Sequence, residues 1–219
     1  GKKDILSGCY STSGYAVMAG LFYTLRGQDG GSFAAPELLK GTDGQPLMVH
    51  HEMAGGTRDE KLTDNICTRP FAVDWDGDGD LDLVVGNFKG TFYVFTGEGK
   101  GQFQPTPALL TNANSTLKTQ GAHSDPFAVD WDSDGDLDLL ASSSGGHVEW
   151  AENRAISAQG GADKAFPVPL SAFRTLIEPG SPGPAGSTRI CVEDFNGDTK
   201  LDILVGDKVE INEQATGQI

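Results

Sequence analysis

The 219-residue sequence predicts an all-β protein of the β-propeller type, and three observations carry that prediction. A ten-residue acidic stretch, Asp74 to Leu83 (DWDGDGDLDL), returns as Asp130 to Leu139 (DWDSDGDLDL) and again as Asp194 to Ile203 (DFNGDTKLDI). Each copy runs into a short aliphatic segment, LDLVVG, LDLLAS or LDILVG, too brief for a helix and rich in branched residues, as strands are. Thirty glycines and few runs of helix formers point the same way. The unit around each copy reads as strand, loop, strand, hairpin, strand, glycine turn, strand. Four antiparallel strands per repeat at this period describe a propeller blade.

In chain order, Gly1-Lys2-Lys3-Asp4-Ile5-Leu6-Ser7-Gly8 matches the end of an acidic loop and its outgoing strand. The first blade is therefore expected to lack its first strand, and the chain to be a piece of something longer. Residues 1–49 form this partial blade, with a strand at Phe22-Tyr23-Thr24-Leu25, a glycine turn at Gly31, a second strand near Phe33, then Pro36 and Leu38-Leu39. Residues 50–69 are polar, mixed in charge and aperiodic, an exposed insertion. A blade over 70–125 opens at Pro70-Phe71, as proline is tolerated at a strand's first residue. It repeats the hairpin at Phe92, Gly101, Phe103 and Pro107. The blade over 126–187 opens at Pro126-Phe127 and carries a looser hairpin: His147-Val148-Glu149-Trp150, Gly160-Gly161, Phe166 and Pro169. Thr111 to Ser124 and Pro179 to Ser187 read as loops. Residues 188–219 form a partial blade ending at Val209-Glu210-Ile211, short of its fourth strand. The loop-end residues Asp4, Asp82, Asp138 and Asp202 lie 78, 56 and 64 residues apart, so the linkers vary. Two whole and two partial blades make a single segment over 1–219, half of a larger ring. Blades outside the chain or a second copy are expected to complete it.

The spacing inside the loops carries the chemistry. Counting the first Asp as position 1, positions 1, 3, 5 and 9 place side-chain oxygens on alternate residues. A hard cation such as calcium takes six to eight oxygens, and a tight loop can aim every second side chain inward. In the first copy the donors are Asp74, Asp76, Asp78 and Asp82, with the Asp80 carbonyl as a fifth. Four carboxylates within nine residues repel one another without a cation between them. An EF-hand shares this opening but needs a Glu at position 12 and flanking helices. Position 12 is Val85, Ala141 and Val205. Magnesium is disfavoured because it demands small octahedral sites and keeps its waters.

The triplicated D-x-[DN]-x-D-G-x-x-D pattern followed by an aliphatic strand resembles the FG-GAP/VCBS repeat family, the calcium-loop propellers that include the head of integrin α-subunits. The resemblance implies structural calcium between the first two strands of each blade, with partner binding through other loops. Carried over, it implies the second ligand set Asp130, Asp132, Asp134, Asp138 and the Asp136 carbonyl. The third set is Asp194, Asn196, Asp198, Asp202 and the Lys200 carbonyl. Three calcium sites are expected, the third weaker. It has one carboxylate fewer, and Thr199 stands where the family has Gly, whose backbone reaches the required angle cheaply.

Other features narrow the function. A net charge of −15 argues against nucleic-acid binding, which calls for basic patches, and three bound calcium ions would bring it to −9. No apolar stretch is long enough to span a membrane. Cys9, Cys67 and Cys191 are far apart without metal-ligand spacing and read as buried free thiols, although one disulfide among them stays open. His50, His51, His123 and His147 occupy unmatched positions and do not suggest zinc. Trp75 and Trp131 at loop position 2 read as packing against a neighbouring blade rather than as sugar platforms. No nucleophile–base pair, phosphate loop or glycosidase-like carboxylate pair is present. The expectation is a non-catalytic, calcium-binding module that binds a protein or glycan outside the cytoplasm, in the extracellular space, the periplasm or at a cell surface. Alternatives are a lectin-like propeller reading sugars through Trp131 or Trp150, or a non-catalytic part of a polysaccharide-degrading enzyme.

Overall fold

The structure is a computed structural model that describes residues 2–10, 20–51, 60–153, 167, 169–180, 182–211 and 214–218. Among the described residues the strands gather into four antiparallel sheets. The first holds β1 (Ile5–Gly8), β2 (Phe22–Leu25) and β3 (Glu37–Leu38). The second holds β4 (Arg69–Val73), β5 (Asp82–Gly86), β6 (Phe92–Phe95) and β7 (Ala108–Leu109). The third is ordered β11-β10-β9-β8, from β8 (Asp125–Val129), β9 (Asp138–Ser142), β10 (Val148–Ala151) and β11 (Arg174–Ile177). The fourth holds β12 (Arg189–Glu193), β13 (Asp202–Ile211) and β14 (Gln214–Gln218). Each is a meander of the kind a propeller blade is made from, three-stranded in the first and last.

The register shows why the acidic loops recur. Val73 pairs Asp82, Val129 pairs Asp138, and Glu193 pairs Asp202. Each loop therefore closes a hairpin whose last acidic residue opens the second strand. Strands, not helices, flank all three loops, and the EF-hand geometry is absent from them. β5 and β9 are buried along their whole length, as expected for aliphatic runs covered on both faces.

The chain divides into two compact units, Gly1–Phe88 with Tyr93–Ala108, and Lys89–Phe92 with Leu109–Ile219. In the first unit β1 packs on β4; in the second β12 packs on β8 and β9. A hydroxyl six residues before each loop stitches a sheet to the chain that precedes it. Thr68 Oγ1 donates to the Gly20 carbonyl at 3.1 Å. Ser124 Oγ donates to the Thr91 carbonyl at 2.9 Å, and Thr188 Oγ1 to the Ser143 carbonyl at 2.9 Å. All three hydroxyl residues are buried. Gly8 lies so close to Thr68 that a Cβ there would sit 2.0 Å from the Thr68 carbonyl oxygen, so no larger residue fits.

Four expectations are corrected. The second strand of the glycine hairpin does not begin at Phe33 or Phe103. These form single bridges to Gly27 and Gly97, and the outer strands β3 and β7 follow Pro36 and Pro107. The last partial blade, expected to end at Val209-Glu210-Ile211, goes on beyond them: these residues close a ten-residue strand, β13, whose far half pairs with a further strand, β14. The stretch read as an exposed insertion ends in a helix, α1 (Glu60–Asn65), with Asp64, Asn65 and Ile66 buried. Finally, the cysteines are free, but Cys191 is exposed and Cys9 and Cys67 are half-buried. Gly160, Gly161 and Phe166 lie outside the described residues.

Candidate metal centres in the three acidic loops

Each loop is folded by its own acidic side chains. Asp74 accepts the Gly77 amide on Oδ1 at 2.9 Å and the Gly79 amide on Oδ2 at 3.0 Å. Asp76 accepts from the Asp78 amide, and Asp78 from the Asp80 amide, each two residues on. These are Asx turns, in which a short carboxylate stands in for a backbone acceptor. Asp130 repeats the role of Asp74 toward the Asp134 and Gly135 amides, and Asp134 accepts from Asp136. In the third loop Asp194 accepts from Gly197, Asp198 and Thr199. Asn196 takes the Asp198 amide and Asp198 the Lys200 amide, so the amide substitution keeps the turn.

This folding brings the carboxylates together. Asp74, Asp76 and Asp78 each offer an oxygen within 4.8 Å of the others, and so do Asp130, Asp132 and Asp134. Two like charges about 4 Å apart repel by roughly 4 kcal/mol at the effective dielectric of a protein surface. Burial, reinforced by Asp82 and Asp78, holds the Asp76 carboxyl above the usual range; burial and Asp134 do the same to Asp132. A divalent cation among such oxygens reverses the like-charge contribution. The donors are hard, all oxygen and mostly anionic, which suits calcium. The third loop brings only two carboxylates and an amide to the equivalent positions. There the backbone amides, Thr199 first, hold Asp194 below the ordinary carboxylate range.

Position 9 does something the spacing alone did not show. Asp82 is fully buried; its Oδ2 accepts the Trp75 amide at 2.9 Å and its Oδ1 the Gly97 amide at 2.7 Å. Asp138, also fully buried, accepts from Trp131 at 3.2 Å and Asn153 at 2.7 Å. Asp4 takes the Gly27 amide in the same way and adds a 2.7 Å contact with Arg26. The residue thus ties the loop to the hairpin that follows the second strand. Burial raises the Asp82 carboxyl and pushes Asp138 up to about 6 against the pull of these amides. In the third loop Asp202 accepts from the Phe195 amide and the Asn196 side chain instead. At position 7, the Asp80 side chain lies in a cleft of about 380 Å³ with Arg26, Lys100 and Leu6, and Asp136 is buried.

Two loop positions require a left-handed backbone. Position 6 is Gly79 (φ +96°), Gly135 (φ +98°) and Thr199 (φ +71°). Position 4 is Gly77 (φ +78°), Ser133 (φ +63°) and Gly197 (φ +78°), a demand that only a three-way comparison of the loops reveals. Elsewhere, Trp75 is buried and Trp131 half-buried, while the Arg174 guanidinium lies 4.9 Å over the Trp150 ring. His50 contacts Tyr93 and Asp64, and among the described residues no histidine joins a group of three ligating side chains.

Blade-sized antiparallel sheets, three of them opened by an acidic hairpin loop, define a repeat protein of the propeller class. The chain belongs to the FG-GAP family: the model described as FG-GAP-like repeat matches residues 74–141 and 130–205. A comparison with curated proteins finds no match. Among solved structures the chain is similar to a lectin of Agrocybe aegerita described as specifically recognising non-reducing terminal N-acetylglucosamine. The two share 19% identity and a TM-score of 0.46, over 93% of this chain and 47% of the lectin, so this chain spans about half that protein's length.

Proposed function

We propose that this chain is a non-catalytic, calcium-stabilised propeller module that binds a protein or glycan partner outside the cytoplasm. The observation that carries the reading is the gathering of three carboxylates in each of two loops that strands hold rigidly. Asp74, Asp76, Asp78, Asp82 and the Asp80 carbonyl would hold one ion. Asp130, Asp132, Asp134, Asp138 and the Asp136 carbonyl would hold a second. A third, weaker site uses Asp194, Asn196, Asp198, Asp202 and the Lys200 carbonyl. Bound calcium supplies countercharge. The protein's own residues do the rest: positions 1, 3 and 5 fold the loop, and position 9 fastens it to the blade.

Millimolar calcium outside cells keeps sites of moderate affinity filled, which supports that location. The cleft beside Asp80, with cationic Arg26 and Lys100 at its edge and leucines in its wall, supports ligand binding by the same face of the first unit. Because calcium binds the folded chain and not the unfolded one, chelation is expected to lower the melting temperature markedly. A melting curve unchanged between saturating calcium and excess chelator refutes the metal reading. Glycan-array binding that is lost in Trp131→Ala would identify the partner as a sugar.

A further inference from the structure

Of the seven asparagines in the sequence, Asn196 alone is followed by glycine. That pair is reactive in water. The backbone nitrogen after an asparagine can attack the side-chain carbon of that asparagine, and glycine has no side chain to crowd the attacking atom. Asn196 and Gly197 stand at positions 3 and 4 of the third loop. Both are exposed, and a Cβ on Gly197 would meet nothing within 4 Å. Water therefore reaches both reacting groups.

The folded loop holds these groups back. The Gly197 N–H donates to Asp194 Oδ1 at 2.7 Å, so taking its proton away would set two negative charges side by side. The Asn196 carboxamide is held as well: its Oδ1 accepts the Asp198 amide at 2.8 Å, and its Nδ2 lies 3.5 Å from Asp202 Oδ1. Attack needs the deprotonated nitrogen within about 3.5 Å of the carbon, in line with it, so the turn has to open first. The third loop is also the least fastened of the three. Thr199 carries a left-handed backbone (φ +71°) where the other loops have glycine, and that strain favours local opening. Asp82 and Asp138 each hold an amide of the following hairpin, Gly97 or Asn153. The partners of Asp202 among the described residues, Phe195 and Asn196, belong to the loop itself.

We propose that Asn196 is a site of spontaneous deamidation, gated by opening of the third loop. The Gly197 nitrogen bonds to the Asn196 side-chain carbon. The carboxamide nitrogen leaves as ammonia, taking up the Gly197 proton, and a cyclic imide remains. Water then opens the imide at either carbonyl, giving aspartate by one route and isoaspartate by the other, with no oxidant or reductant involved. The aspartate product puts a carboxylate at position 3, where Asp76 and Asp132 already have one. The isoaspartate product reroutes the backbone through the side-chain carbon and breaks the alternate spacing of donors. The reaction rests on the loop's geometry alone; its consequence for a metal rests on the calcium reading above.

The test incubates the whole chain for weeks in warm, mildly alkaline buffer with excess chelator, both folded and in guanidinium chloride. Tryptic peptides covering residues 190–200 and 101–118 are then weighed over time. The second peptide contains Asn114, an exposed asparagine followed by serine, as an internal comparison. In denaturant, Asn196 is expected to gain the mass of an amide turned acid severalfold faster than Asn114. In the folded chain it is expected to react still, but severalfold more slowly than in denaturant. Gly197→Ser, which installs the residue that Ser133 places at the same loop position, is expected to slow the reaction severalfold in both states. An Asn196 that keeps its amide in the folded chain, equal rates in the two states, or a Gly197→Ser rate equal to wild type overturns the proposal. Calcium added to the folded sample reports on the metal separately. It is expected to slow the reaction further, and Asn196→Asp is expected to gain more melting temperature from calcium than wild type. Equal gains overturn the added ligand at position 3. Calcium without effect on the rate or on either melting curve refutes the calcium reading, while the chelator samples still decide the deamidation.

Discussion

At the scale of single residues, the three loops differ in how much backbone strain they carry. A non-glycine residue in the left-handed region costs on the order of 1–2 kcal/mol, and a β-branched one has no local compensation. Thr199 bears that cost, while Gly79 and Gly135 at the same position do not. A Cβ on Gly79 would meet nothing within 4 Å, so the cost there is one of backbone alone. Thr199→Gly is expected to stabilise the chain by about 1 kcal/mol in urea unfolding, and Gly79→Thr to destabilise it by at least as much. Equal stabilities would refute the strain. Thr199 was legible in the sequence because the repeats differ there. Ser133 was not, since a serine in an acidic turn reads as an ordinary polar residue until its φ is known.

Position 9 separates ligand from fastener, again at single residues. Removing Asp82 leaves the Trp75 and Gly97 amides without their acceptor in a buried place, at about 1–3 kcal/mol each. Asp74 serves amides of an exposed turn, where water can replace it. In excess chelator, where ligand roles vanish, Asp82→Ala is therefore expected to cost about 2–4 kcal/mol and Asp74→Ala well under half of that. Similar costs for the two, measured by denaturant unfolding, would show that Asp82 matters only as a ligand.

At the scale of elements, the strands flanking the loops were legible because each hydrophobic run is bounded by an unmistakable turn. The outer strands were not. Phe33 and Phe103 advertise burial, but burial is equally served by a single bridge at a turn, and the two-residue strands β3 and β7 are too short to show alternation. Helix α1 hides behind a polar composition because two of its own residues that become buried, Asp64 and Asn65, are polar. The blade-stitching hydroxyls Thr68, Ser124 and Thr188 are equally hard to single out by sequence, although each precedes its loop by six residues.

β10 carries a second element-scale consequence. Glu149 is 2% exposed, accepting the Gln120 amide at 3.0 Å, with His147 and Glu178 nearby. Burial raises its carboxyl above the ordinary range, outweighing the amide and the Gln120 side chain. A group protonated more readily in the folded than in the unfolded chain lends stability below its ordinary pKa. That stability is lost as pH rises through the raised value. Glu149→Gln removes the titration while keeping an acceptor for Gln120. Its melting temperature relative to wild type is expected to rise between pH 4 and pH 7. A difference that is flat with pH would show that the residue does not titrate in the folded state.

At the scale of the whole molecule, charge decides how the metal and the fold are coupled. The chain carries −15, and the loops contribute thirteen of its 31 acidic residues within three hairpin segments. Compact structure therefore works against self-repulsion that is concentrated rather than spread, and site-bound cations oppose it where it is greatest. Monovalent salt opposes it everywhere but less locally, with a Debye length of about 10 Å at 0.1 M. Salt should then partly substitute for calcium. In excess chelator, raising sodium chloride from about 0.02 to 0.3 M is expected to increase the melting temperature substantially, because screening shortens toward the spacing within a loop. In saturating calcium the same addition should have a much smaller effect, because the clustered charge is already neutralised. Parallel salt dependences in the two conditions would mean that the acidic loops do not set the stability of the chain, and that their Asx turns alone account for their sequence.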